Sequence, residues 1–78
     1  MDINIKELKA GETGEIVGFY EGDANYRRKL LSLGLTKGAT FRVIRVAPLG
    51  DPMEIEVRGS QLSLRKDEAN ILKVRRLV

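Results

Sequence analysis

Neither cysteine nor histidine occurs anywhere in this chain. The first absence excludes disulfide staples, thiolate nucleophiles and thiolate metal ligands. The second removes the side chain that most often serves as general base or as a nitrogen ligand to a transition metal. Tryptophan is missing too, and only two Phe and two Tyr supply aromatic surface, few for a protein that stacks bases. No apolar run approaches the ~20 residues of a membrane-spanning helix. The opening segment MDINIKELKAGE lacks the apolar core of a signal peptide. A cytoplasmic location is expected, without direct membrane insertion, any approach to the inner membrane being made through a partner.

The same absences leave little for catalysis. Ser32, Ser60 and Ser63 have no histidine to activate them, and the acidic residues form no pair at a spacing that acid/base chemistry would use. Gly11 and Gly14 in GETG precede a strand pattern, not a helix, so they form no phosphate-binding loop. The expectation is a protein that is not an enzyme and carries no cofactor. Its 78 residues, 42% of them hydrophobic, predict one small domain over 1–78 that folds alone. Fourteen basic against 11 acidic residues leave a net charge of +3, only a weak attraction for acidic partners.

The stretch from Tyr26 to Arg58 organises the chain as a helix, a tight turn and a hairpin. Tyr26, Leu30 and Leu33 recur at helical spacing with Arg27, Arg28 and Lys29 between them. Asp23 is placed to cap the start, and Gly34 followed by Leu35 is a helix-ending pattern, giving about three turns. At about 100° per residue, Tyr26, Leu30 and Leu33 lie within about 60° of one another and define the buried stripe, while Leu31 points away from it between Arg27 and Arg28. Beyond Gly38 the period becomes two. Phe41 and Val43 are out of phase with Ile44 and Val46, so a bulge near Val43 and Ile44 is needed to place all four inside. Pro48, Leu49, Gly50, Asp51 and Pro52 form a turn, after which Met53, Ile55 and Val57 alternate with Glu54, Glu56 and Arg58. Matching the buried faces sets Arg45 opposite Glu54 or Glu56.

Elsewhere the signals are shorter. Asn4 is placed to cap one helical turn among Ile3, Ile5 and Leu8, forming a lid over one end, and Thr13 to Tyr20 reads as a strand with glycines where close approach or bending is required. Gly59 and Ser60 read as a second tight turn, Leu62 and Leu64 as a short strand, Asp67 as the cap of a turn through Ala69, and Leu72 and Val74 as the closing strand. The pattern predicts a mainly β fold: a small antiparallel barrel of about five strands, closed or nearly so, with one inserted α-helix. Its core is expected from Phe41, Val43, Ile44, Val46, Ile55, Val57, Leu62, Leu64 and Val74, with Leu30 and Leu33 packed on them.

Several of these residues also resemble the family of ferrous iron transport protein A, FeoA. The resemblance runs through Leu30, Leu33-Gly34-Leu35, Gly38, the segment Val46-Ala47-Pro48-Leu49-Gly50-Asp51-Pro52, and Leu62-Ser63-Leu64-Arg65 before Ala69, and covers nearly the whole chain. It implies an SH3-like barrel and a small cytoplasmic partner of FeoB, a ferrous iron transporter of the membrane that carries its own GTPase domain. The barrel is similar as well to the carboxy-terminal domain of metal-dependent transcriptional repressors. A chain of this length without a DNA-binding helix pair favours the transport reading over a free-standing relative of that domain with transition metal ion binding.

Two surfaces stand out for partner binding. One is the helix face of Arg27, Arg28 and Leu31, an apolar anchor between basic groups that can pair with carboxylates. The other is the loop of Pro48, Leu49, Gly50, Asp51 and Pro52, where two prolines limit the entropy lost on docking and Leu49 sits at the tip. No metal site is expected, since Asp51, Glu54 and Glu56 offer only carboxylate oxygen and Arg45 is set to face one of the glutamates. Nucleic-acid binding is the alternative, carried by Arg27, Arg28 and Lys29 and by Lys73, Arg75 and Arg76, but aromatic side chains are too few to support it.

Overall fold

The structure, a computed structural model, describes residues 2–77. In chain order it comprises β1 (Ile3–Asn4), a 3-10 turn (Ile5–Glu7), β2 (Thr13–Phe19), α1 (Ala24–Ser32), β3 (Thr40–Val46), β4 (Met53–Val57), β5 (Ser60–Leu64), α2 (Lys66–Ala69) and β6 (Leu72–Leu77). All six strands join one antiparallel sheet in the order β1-β6-β2-β3-β4-β5. A flat sheet with side chains on one face would be far thinner than wide. The observed extents of 28 × 25 × 24 Å are nearly equal, so the sheet is curled around its apolar face.

Local sequence explains the curl. The β2–β6 register shifts between Ile16 and Gly18, and the β3–β4 register between Val43 and Arg45. Each shift is a bulge that bends its strand. At Gly14 a Cβ would lie 2.7 Å from the Phe41 ring, so only glycine lets that ring lie against β2. Beneath the curl lies a continuous core that includes Ile5, Leu8, Ile16, Leu30, Leu35, Phe41, Val43, Ile55, Leu64, Leu72 and Val74. Val46 and Leu62, expected inside, are half-buried against it.

Helix α1 starts as its sequence dictates, with the Asp23 carboxylate accepting the Asn25 N–H at 2.7 Å. It stops at Ser32, nine residues long and shorter than the expected three turns. The Leu35 N–H donates to the Leu30 carbonyl at 3.0 Å and the Gly34 N–H to the Leu31 carbonyl at 3.1 Å, with Gly34 at φ 93°. These are the paired bonds of a Schellman ending, whose apolar contact joins the residues three before and two after the cap. Here those residues are Leu30 and Leu35, both fully buried.

The ending corrects the expectation for Leu33. It occupies the C-cap, outside the regular wheel, and is 37% exposed. Leu35 takes the core position instead, because the left-handed Gly34 turns the chain inward. Ile44 is corrected as well: as the extra residue of the bulge it lacks a cross-strand partner and stays half-buried outside the core.

Other corrections are smaller. Ile3 and Asn4 pair with Val74 and Lys73, so the opening segment contributes a sixth strand before the turn capped by Asn4. The β4–β5 turn is Arg58-Gly59, both at positive φ, flanked by the paired Val57 and Ser60. Asp67 lies within α2 and does not cap it. Closure is incomplete, with β1 and β5 as the terminal strands.

Leu30→Ala is expected to cost about 2–5 kcal/mol in urea unfolding, because it empties a fully enclosed site. Leu33→Ala should cost less than about 1 kcal/mol. Equal losses would contradict the assignment of the buried stripe.

Candidate functional site

The two surfaces marked in the sequence, the α1 face and the Pro48–Pro52 loop, are joined in the fold by α2. That helix is only four residues long and depends on its neighbours. At its start the Asp51 carboxylate accepts the Lys66 N–H at 3.0 Å, so the loop itself satisfies one of the helix's free donors. Glu68 reaches back to accept the Arg65 N–H at 3.0 Å, the reciprocal half of a capping box. Its other carboxylate oxygen takes the Lys29 ammonium of α1 at 2.5 Å.

Glu68 is 4% exposed, the one buried charged side chain among the described residues. The hydrogen bond from Lys29 holds its carboxyl below the ordinary value of 4.5, helped by the Arg65 N–H and by the positive charges of Lys29 and Arg65, while burial opposes the shift. Glu68 gave no signal as a site residue in the sequence, where Lys29 figured only in a basic cluster with Arg27 and Arg28. The Arg65-to-Glu68 spacing carries the signal of a capping box, but no local pattern shows that Lys29 faces it from 39 positions away.

On the α1 face the expected residues are exposed, and their environments differ. Leu31 is 39% exposed, and Arg28 has no carboxylate partner among the described residues. Arg27 lies over the Phe19 ring at 5.2 Å, so its stem is held while its charge stays accessible. Leu33 adds apolar surface at the helix end.

In the loop, Leu49 is 96% exposed, flanked by the exposed Pro48 and the half-buried Gly50. Asp51 is half-buried and committed to α2, with the Arg65 guanidinium 3.9 Å away, so it positions the loop. Pro52 is exposed beside it.

The remaining carboxylates considered for metal binding face cations. Arg45 lies 3.3 Å from Glu54 and Arg42 3.6 Å from Glu56 on the solvated side of the sheet. Among the described residues no group of three or more Asp or Glu side chains is placed to hold a metal ion. A recess of about 570 Å³ beside the Arg58-Gly59 turn is lined by the Arg42–Glu56 pair with Thr13 and Thr40, and the Thr13 hydroxyl donates to the Leu77 carbonyl at 3.4 Å. The basic clusters are divided as well: Arg75 pairs with Glu15, and Arg76 with Glu12 at 3.1 Å. No helix of the described residues is long and apolar enough to cross a membrane.

The FeoA domain model matches residues 3–76. The chain is 32% identical over 72 residues to the Fe(2+) transport protein A/Fe(2+) transporter FeoB fusion protein of Porphyromonas gingivalis, covering 92% of this chain and spanning 8% of that relative. Against the crystal structure of an iron uptake regulatory protein (FeoA) it is 35% identical with a TM-score of 0.84, covering 99% of both chains. IdeR of T. acidophilum superposes with a TM-score of 0.88 at 21% identity over 97% of this chain and 34% of that one. That likeness speaks to the fold alone, an SH3-like sheet with one inserted helix.

The Glu68 environment predicts a specific pH dependence. A carboxyl lowered in the folded state contributes stability above its unfolded value, and that contribution is lost as pH falls through the folded value. Glu68→Gln is expected to destabilise the protein by about 1–2 kcal/mol at pH 7, discounted for the half-exposed Lys29. The deficit relative to the parent should shrink as pH falls below 4.5. Denaturant midpoints measured across that range check it, and a pH-independent deficit would contradict it.

Proposed function

The chain belongs to the FeoA family, and from that premise we propose that it is a small cytoplasmic accessory and regulatory protein of ferrous iron uptake, acting by docking on a FeoB-type GTPase membrane transporter. The observation that carries this reading is the fused relative, in which a homologous segment and the transporter share one polypeptide. Fusion makes the encounter intramolecular and raises the effective concentration of the two parts, a gain that matters only if they meet. Two parts that meet in this way need a docking surface between them.

The α1 face and the Pro48–Pro52 loop supply that surface in this proposal. Leu31 and Leu49 are its apolar anchors, Arg27 and Arg28 its groups for partner carboxylates, and Pro48, Gly50, Asp51 and Pro52 keep the loop in one shape. The reading calls for no catalytic step and no resident metal, and iron is the transporter's cargo.

Binding to the solubilised transporter from the same cell tests it. Leu49→Ser, and separately Leu31→Asp combined with Arg28→Glu, are each expected to weaken binding about tenfold or more with melting temperature preserved. Loss of binding together with stability would make these residues structural. Unchanged affinity in both variants would remove the surface.

A further inference from the structure

Strand β5 ends the sheet among the described residues, and within the strand it has no bulge, proline or lysine to guard its outer edge. Natural edge strands are shortened, bulged, or guarded by proline or lysine. β1, at the opposite end, is only two residues long. β5 has five residues, Ser-Gln-Leu-Ser-Leu, with an unbroken register against β4 and no proline or lysine.

Hairpin geometry identifies which backbone groups are free. A two-residue turn with both residues at positive φ makes its flanking pair, Val57 and Ser60, the first doubly hydrogen-bonded pair. Doubly bonded pairs then alternate along an antiparallel ladder, so Ile55 with Leu62 and Met53 with Leu64 are the next. The N–H and C=O groups of Gln61 and Ser63 therefore point away from β4. Among the described residues no backbone or side-chain group bonds them, and both residues are exposed.

Charge at the ends of β5 chooses between possible occupants. Arg58 precedes the strand, while Arg65 and Lys66 follow it, all exposed. A second copy paired antiparallel about Leu62 would bring Arg65 and Lys66 of one chain beside Gly59 and Arg58 of the other, setting like charges together. Glu54 and Glu56, on the neighbouring strand, already face Arg45 and Arg42. We propose that the free edge of β5 binds an extended segment of a partner protein, adding it as a seventh strand, with acidic residues on both sides of the paired stretch. Gln61 and Ser63 supply the backbone pairing, and Arg58, Arg65 and Lys66 supply selectivity for the acidic flanks. The site adjoins the loop, since Asp51 accepts the Lys66 N–H at 3.0 Å and lies 3.9 Å from the Arg65 guanidinium, but the free edge uses none of Pro48, Leu49 or the α1 face, and it stands whether or not they contact a transporter.

The test uses the whole chain and an octapeptide with alternating Val and Thr in the middle and two Asp at each end. Amide hydrogen exchange followed by NMR should show Gln61 and Ser63 exchanging fast alone and about tenfold or more slower with millimolar peptide. Ser63→Pro should abolish the effect, since proline is tolerated where the N–H faces outward yet donates nothing. Arg58→Asn suits the turn and removes one charge, so it should weaken peptide binding severalfold and remains decisive if the proline variant fails to fold. Unchanged exchange at Gln61 and Ser63 would overturn the proposal. Equal slowing by a peptide with Lys in place of Asp would overturn the acidic assignment. Slowing that follows protein concentration without peptide would assign the edge to a second copy instead.

Discussion

One helix ending holds this small fold together. Without a disulfide, the chain relies on packing to close a single curled sheet, and α1 carries only one fully buried side chain, Leu30. The left-handed Gly34 doubles that contribution by folding Leu35 back beside it. The same turn leaves Leu31 and Leu33 on the surface. A device that completes the core thus also produces the apolar part of the α1 face.

A second dependence runs through α2. Four residues do not sustain a helix in water, so α2 exists because Asp51 caps it, Glu68 reaches back to Arg65, and Lys29 neutralises Glu68. Those contacts fix the loop relative to α1. Two candidate docking elements far apart in sequence are thereby held in one arrangement before any partner arrives, which lowers the entropy lost on binding. A buried, paired carboxylate is weak grounds for stability as such, and its role here is better understood as positional.

Much of this was legible in the sequence because it is encoded locally. The Asp23 cap, a bulge near Val43 and Ile44, Arg45 opposite Glu54 or Glu56 (Glu54 in the structure) and the exposed Leu49 each follow from spacing over a few residues. What failed was either phase at an ending or contact at long range. The wheel carried Leu33 into the core because it was continued through a residue where the helix had already stopped. Ile44 was placed inside because a bulge was treated as a change of phase, when its extra residue simply loses its place in the ladder. Two residues are too few to show alternation, so β1 left no trace, and nothing near Lys29 announces a carboxylate in α2. The expectation of a barrel closed or nearly so did not say where an opening would fall, and β5 as a free edge depends on strand order rather than local pattern.

We propose that the chain docks on a FeoB-type transporter through the α1 face and the Pro48–Pro52 loop together. Hydrogen exchange of the chain with and without the solubilised transporter, read by mass spectrometry, addresses it most directly. Slowed exchange in peptides covering residues 24–35 and 46–53, at the same transporter concentration, is the predicted result. Exchange unchanged in both segments, while the transporter is demonstrably bound, would contradict the account.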